Sequence, residues 1–313
     1  MKILIYPALP ADQLAQLEAV AGEATLVNAQ SEEEAIAAVA DADGMIGRIT
    51  PPILAAAKQL RWLQTPMAGL ERYMFPELVA SDLTMCNMAG IYSDIIADQV
   101  LMYILMFARG EHLLFRRQLE RRWDPDVPVI HLADQTLGVV GLGGIGSEVA
   151  RRGHAHAMRV VAVDARRTER PDYVDELWST DRLDDLLDIA DFLVLCVPQT
   201  PETAKLIRAP QLARMKKSAY LINISRGIVV DLADLTAALQ AGEIAGAGLD
   251  VFEVEPLPAD HPLWGMENVL ITPHMAGDSP HVVSRRIGVI ADNLRRFVNG
   301  EPLRNVIDKA MWF

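Results

Sequence analysis

The sequence predicts an α/β protein built from two Rossmann-like, doubly wound parallel-sheet domains, with the C-terminal helix returning to the first domain. Three observations carry this reading. Short apolar runs alternate with helix-patterned stretches along the chain, the order that gives a parallel sheet covered on both faces. A stretch rich in proline and charge, "RRWDPDVPVIHLADQ", interrupts the series near its middle. The 313 residues exceed what one hydrophobic core readily holds.

The elements follow in order. "KILIY" reads as a strand and "ADQLAQLEAVA" has helical spacing. "SEEEAIAAVA" opens with a capping box, Ser31 and Glu34. "GMIGR" and "RWLQT" are further strands, and "PPILAAA" starts a helix with proline at its front. From Ser93 to about Leu119 one long helical pattern is expected, apolar nearly all round in its first half and so buried between other elements. A second alternating series runs from Thr136 to about Gly277, and a terminal helix ends at Gly300. The expected domains are residues 1–97 plus 280–313, and residues 98–279.

The composition narrows the function. A formal net charge of -13 provides no basic patch for nucleic acid and no polybasic stretch for an anionic membrane. No run approaches the ~18 apolar residues of a membrane helix, and "MKILIYPALP" reads as a first strand rather than a signal peptide. The only cysteines, Cys86 and Cys196, lie far apart in apolar runs, as expected of reduced thiols in a cytoplasmic protein. His154 and His156 are two apart on a helical pattern, face different sides and lack a supporting cluster, so no metal site is expected.

The strongest local motif is "TLGVVGLGGIGSEVARRG". Strand "LGVV" leads into Gly141, Gly143 and Gly146, the G-x-G-x-x-G spacing, with Gly144 and Ile145 between, and "SEVARR" begins a helix. The glycines serve a tight turn, close approach of a pyrophosphate and close helix–strand packing, while the helix N-terminus offers free N–H groups to phosphate. The next strand, "RVVAV", ends at Asp164, 18 residues after Gly146 and close to the ~20-residue spacing of a dinucleotide fingerprint. Asp164 can accept from ribose hydroxyls and opposes a 2′-phosphate, which favours NAD. Arg166 and Arg167 just beyond it favour NADP, so dual use is also open.

Three later apolar runs end abruptly in polar residues. "AYLINI" runs into Ser225-Arg226, "GAGL" into Asp250 and then "VFEVEP" with Glu255, and "NVLIT" into Pro273-His274. In open parallel sheets ligands sit beyond the carboxyl ends of the strands, so an arginine, a carboxylate and a histidine converging there form a candidate site.

These segments, "GLGGIG", "VLCVPQTPET", "LINISRG", "GLDVFEVEPLP" and "ITPHMAG", resemble in order the D-isomer-specific 2-hydroxyacid dehydrogenases, which include glyoxylate and hydroxypyruvate reductases. "QTPMAGLERY" resembles that family's substrate loop. The resemblance implies hydride transfer from a nicotinamide cofactor to a small 2-keto acid, giving the D-2-hydroxy acid. It implies Arg226, Glu255 and His274 as catalytic residues, and Arg226, His274 and the Met67–Ala68–Gly69 backbone as substrate contacts. The implied cofactor contacts are Gly144, Ile145, Asp164, Pro198, Thr203, Ile224, Ser225, Asp250 and Gly277, besides the catalytic Arg226 and His274. The physics fits. A guanidinium can hold the keto-acid carboxylate and the charge growing on the carbonyl oxygen. His274 would supply the proton, with Glu255 favouring the imidazolium and holding its ring. Formate-oxidising relatives carry glutamine at the Glu255 position, so the acid here argues against that activity.

The resemblance also implies a homodimer through the cofactor domains and a site closed by hinging. Trp123 falls where relatives place a tryptophan at the dimer contact, with packing under the arm as its alternative; Met311-Trp312-Phe313 is expected to dock on the first domain or a partner. Met67, Leu70 and Tyr73 suggest a modest apolar pocket. Two departures stand out. Ala97-Asp98-Gln99 replaces the usual Ala-Glu-His and is expected to alter helix contacts, and Gly144 occupies a place often filled by a bulkier residue. A nucleotide-sensing corepressor or scaffold on the same fold is the alternative function.

Overall fold

The computed structural model describes residues 1–71 and 73–310, so the expectation for Met311-Trp312-Phe313 lies outside the described residues. Two compact units form, Met1–Ile91 with Ser279–Phe313, and Tyr92–Asp278.

In the first unit β1 (Lys2–Tyr6), α1 (Ala11–Glu18), β2 (Thr25–Asn28), α2 (Glu32–Val39), β3 (Gly44–Gly47), α3 (Pro51–Ala56), β4 (Trp62–Gln64), α4 (Pro76–Ala80) and β5 (Thr84–Cys86) follow in sequence. The strands make a five-stranded sheet, β2-β1-β3-β4-β5, parallel throughout. Ser31 caps α2, accepting from the Glu34 N–H, but the Glu34 carboxylate accepts from the Gln30 N–H, one residue before the position a capping box uses; Thr50 caps α3 ahead of its prolines.

The second unit holds α5 (Ser93–Ala108), α6 (Glu111–Leu119), β6 (Thr136–Val140), α7 (Gly144–Ala155), β7 (Arg159–Val163), β8 (Glu176–Trp178), α8 (Leu183–Ile189), β9 (Phe192–Leu195), α9 (Ala209–Arg214), β10 (Tyr220–Asn223), α10 (Leu232–Ala241), β11 (Gly246–Leu249) and β12 (Val269–Ile271). Its seven strands run parallel in the order β12-β11-β10-β9-β6-β7-β8. The order reverses between β6 and β9, the switch point at which ligands settle in such sheets. Successive side chains alternate between two buried layers. Leu137, Val139, Val160, Ala162, Phe192 and Val194 pack with α5 and α7, while Val161, Val163, Leu193 and Leu195 pack on the other side. Both faces are covered, which is why the strands read as unbroken apolar runs.

The final helix, α11 (Val282–Val298), belongs to the first unit, where its Asn293 donates to the buried Gln64 Oε1 of β4 at 2.7 Å.

The long helix expected over residues 93–119 is two helices. Gly110 breaks it with φ +69°, and a Cβ there would stand 2.6 Å from Val127 Cγ2. The arm crosses at that point, with the Ile130 N–H donating to the Ala108 carbonyl, and only glycine lets it approach. No helix among the described residues is long and apolar enough to cross a membrane.

Candidate active site

All seven strands of the second unit point the same way, so every loop after a strand emerges on one edge. Along that edge, in spatial order, stand His274 after β12, Asp250 after β11, Ser225–Arg226 after β10, Pro198 after β9, the glycine loop after β6 and Asp164 after β7. The polar residues singled out in the sequence therefore share one rim, with the glycine loop at the switch point.

The glycine loop has the form a dinucleotide needs. Gly141 takes φ +91°, and a Cβ on Gly146 would stand 1.9 Å from the Gly141 carbonyl oxygen, so the turn tolerates no side chain there. A Cβ on Gly143 would meet nothing within 4 Å. The protein itself does not require glycine at that position, whereas close approach of a ligand would. The twelve-residue α7 begins here, and the amides of its first turn have no acceptor within the helix.

Asp164 closes the loop from the next strand. Its Oδ2 accepts from the Leu142 N–H at 2.6 Å, and its Oδ1 accepts from the N–H groups of Arg166 and Arg167 at 2.8 and 2.7 Å. The Arg167 guanidinium turns back to the Leu142 carbonyl and the Ser147 hydroxyl. Beyond β9, the Thr203 hydroxyl donates to the Pro198 carbonyl at 2.7 Å and stiffens that turn.

At the other end of the rim, His274 Nδ1 lies 2.7 Å from Glu255 Oε2. A carboxylate only accepts, so Nδ1 carries the proton and Nε2 is the nitrogen left for chemistry. The second oxygen of Glu255 accepts from the Phe252 N–H at 3.0 Å, which fixes the carboxylate. His274 is half exposed and so open to a ligand. Arg226 leaves β10 on a turn organised by Asn223, a residue the sequence reading passed over. The buried Asn223 side chain accepts from the Ser225 N–H and hydroxyl and donates to the Arg226 carbonyl. A polar residue ending the apolar run "LIN" was the available signal. Gly227 lets this turn press on Phe252, since a Cβ would stand 1.9 Å from the Phe252 carbonyl carbon. Ile224 is buried beneath the turn, and Gly277 lies against the Tyr92 ring.

Asp98 and Gln99, the departures in α5, do different things. Asp98 pairs with Arg152 of α7 at 2.7 Å, a helix contact as expected. Gln99 instead donates to Thr272 Oγ1 at 3.2 Å, two residues from His274.

In the first unit, Met67, Ala68 and Gly69 follow β4. The Met67 carbonyl accepts from the Thr65 hydroxyl and the Met88 N–H, and the Ala68 carbonyl accepts from Asn87 Nδ2. In a trans peptide the next N–H points opposite its carbonyl, so the amides of Ala68 and Gly69 face the other way, as an anion grip requires. Met67 and Tyr73 line a cavity of about 260 Å³ with Arg48, Thr50 and Phe75. Leu70, expected in that pocket, is buried in the unit's core instead.

Residues 101–276 match the family model described as D-isomer specific 2-hydroxyacid dehydrogenase, NAD binding domain. The chain belongs to the D-isomer-specific 2-hydroxyacid dehydrogenase family. It is 37% identical over 291 residues to a glyoxylate reductase of Korarchaeum cryptofilum, covering 90% of this chain and 87% of that one. It is 35% identical to glyoxylate/hydroxypyruvate reductase B of Citrobacter koseri, covering 98% and 97%. Among solved structures, a family member from Xanthobacter autotrophicus in complex with NADPH and MES superposes with a TM-score of 0.87 at 30% identity, covering 100% and 99%. Family membership makes the protein an NAD(P)-dependent oxidoreductase, and the glycine loop and rim described above fit that cofactor.

Proposed function

We propose that this dehydrogenase reduces small 2-keto acids of the glyoxylate and hydroxypyruvate type to D-2-hydroxy acids. The observation that carries this is the His274–Glu255 pair standing with Arg226 on the rim that holds the glycine loop. A bound nicotinamide cofactor supplies the hydride. Arg226 holds the substrate carboxylate and stabilises the charge that develops on the carbonyl oxygen. His274 delivers its Nε2 proton to that oxygen. Glu255 orients the ring through Nδ1 and balances the imidazolium charge. Relatives named glyoxylate or glyoxylate/hydroxypyruvate reductase, at 33–37% identity, support the substrate class.

Gly141, Gly143, Gly144, Ile145 and Gly146 receive the pyrophosphate, and Asp164 accepts the ribose hydroxyls. NADH is therefore the preferred cofactor, with NADPH served through Arg166 and Arg167. The unit Tyr92–Asp278, expected as residues 98–279, serves as the cofactor domain, and the unit Met1–Ile91 with Ser279–Phe313, expected as residues 1–97 plus 280–313, serves as the substrate domain. The Ala68 and Gly69 amides grip a carboxylate. The second unit pairs with another copy of itself, because Trp123 is fully exposed, Leu119 is 86% exposed and Phe115 and Val129 also face solvent. The full exposure of Trp123 supports its reading as a dimer contact over packing under the arm. The protein works in the cytoplasm without nucleic acid. Spectrophotometric turnover with each nucleotide and a panel of 2-keto acids tests the assignment. Tight nucleotide binding without turnover would leave a nucleotide sensor in its place.

A further inference from the structure

His274 sits in the left-handed backbone region, with φ +52°. A histidine Cβ resists that region, so neighbours must hold the residue there. Its own N–H donates to the Asp250 carbonyl at 2.8 Å and to the Thr272 carbonyl at 3.1 Å. The next two amides, of Met275 and Ala276, donate to the Asp250 carboxylate at 3.0 and 2.9 Å. Asp250 is only 2% exposed. The grip is made out of water, where losing a partner is costly.

That carboxylate has a third donor from the strand end. Thr272 Oγ1 donates to Asp250 Oδ1 at 2.5 Å, which uses the hydroxyl's single proton. Any other group meeting Thr272 Oγ1 must then donate to it. Tyr103 OH does so at 2.5 Å and Gln99 Nε2 at 3.2 Å. Both project from one face of α5, four positions apart. Tyr103 can lie across β11 because the strand has glycine there: a Cβ on Gly248 would stand 2.8 Å from the Tyr103 ring. Burial pushes the Tyr103 phenol up to about 12, so it keeps its proton through the neutral range. The donors form a one-way chain, from Tyr103 and Gln99 to Thr272 and from Thr272 to Asp250. It ends on the residue whose carboxylate holds the two backbone amides after the histidine and whose carbonyl holds the histidine's own.

We propose that Thr272, Tyr103 and Gln99 are positioning residues which, acting through Asp250, hold His274 in the left-handed conformation that sets its ring against Glu255. This rests on the reading of His274 as the acid of the reaction. None of the three is among the residues assigned to substrate. Their effect falls first on the geometry of proton delivery, and reaches the cofactor only so far as Asp250, itself an expected cofactor contact, is displaced.

The test uses full-length Thr272→Val, Thr272→Ser and Tyr103→Phe beside the wild type and His274→Ala. Thr272→Val keeps the side chain's shape and loses the hydroxyl. It should lower kcat about 10- to 100-fold, the penalty of a small misplacement at a reacting centre. The KM for reduced nucleotide should change by no more than about threefold, because Asp250 is only one of many cofactor contacts and most of the binding is kept. Thr272→Ser should restore kcat to within about threefold of wild type, and a crystal structure of Thr272→Val should show the His274–Glu255 contact lengthened or lost. If Thr272→Val fails to fold, Tyr103→Phe decides: a loss of about three- to tenfold in kcat at constant KM supports the chain, in keeping with one neutral hydrogen bond. A wild-type kcat in Thr272→Val, or in Tyr103→Phe where that variant decides, overturns the proposal. So does a serine variant no better than valine, or a loss of activity that merely follows a lowered melting temperature. Turnover surviving in His274→Ala, or absent from the wild type, would instead remove the catalytic reading and this proposal with it.

Discussion

His274 presents only one ring nitrogen to a ligand, because its other nitrogen is bonded to Glu255 at 2.7 Å and the far oxygen of that carboxylate is held by the Phe252 N–H. The pair is thus fixed from behind. Glu255→Gln replaces an acceptor with a group that can also donate, and should lower kcat for reduction about 10- to 100-fold with little change in nucleotide KM. Steady-state kinetics at fixed pH checks this, and an unchanged kcat would free Glu255 of its role.

Arg226→Lys keeps the charge and loses the planar fork. If the guanidinium holds both the substrate carboxylate and the developing oxyanion, kcat/KM for the keto acid should fall about 100- to 1,000-fold, while nucleotide affinity, to which Arg226 is one contact among many, falls by no more than about fivefold. Parallel titrations of nucleotide fluorescence and initial rates separate the two effects.

Asp164 has two duties, and its substitution should reveal both. Asp164→Ala removes the acceptor for three backbone N–H groups and also the charge that opposes a 2′-phosphate. The KM for NADH should rise roughly tenfold, and the ratio of kcat/KM for NADPH over NADH should rise by roughly the same factor or more. A variant whose ratio stays put would assign cofactor choice to Arg166 and Arg167 alone.

Much of the site was legible because its residues are local. The glycine loop, Asp164 and the polar ends of β10, β11 and β12 each lie at the end of an apolar run, and a parallel sheet gathers such ends on one edge. Contacts between distant residues left no such signal. Tyr103 and Thr272 are 169 residues apart and meet only through the fold. The break at Gly110 was hidden for the same reason, since it depends on Val127 crossing above it. The short strands β5 and β8 lie at sheet edges and, unlike the equally short β4 and β12, sit among polar neighbours in "SDLTMCN" and "VDELWST", which leaves no apolar run to announce them.

His112 gives the second unit an acid-sensitive element. Burial lowers its pKa below the ordinary 6.5, with Arg116 adding to the effect against the Met106 carbonyl and Glu267. The folded state then binds fewer protons than the unfolded chain just below pH 6.5. Its contribution is complete above that pH and falls as the pH drops from 6.5 through the lowered value. His112→Asn should therefore lose less melting temperature than wild type between pH 7.5 and 5.5, as thermal denaturation at the two pH values would show. An equal loss in both proteins would contradict this.

The thiols should be inert. Burial pushes Cys86 up to about 11 and Cys196 up to about 12, so neither supplies a thiolate at neutral pH. An aromatic disulfide reagent should release no chromophore from the native protein and two equivalents once it is unfolded. Rapid reaction in the folded state would place a thiol in an open, electropositive setting that the structure does not contain.

The most direct measurement is the loss of reduced-nicotinamide absorbance on mixing the enzyme with NADH or NADPH and glyoxylate, hydroxypyruvate, pyruvate or phenylpyruvate. His274→Ala serves as the control. Turnover of the small keto acids, faster with NADH and lowered about 100-fold or more in the control, is the predicted result. No turnover with any pair despite nucleotide binding, or equal turnover in His274→Ala, would contradict the account.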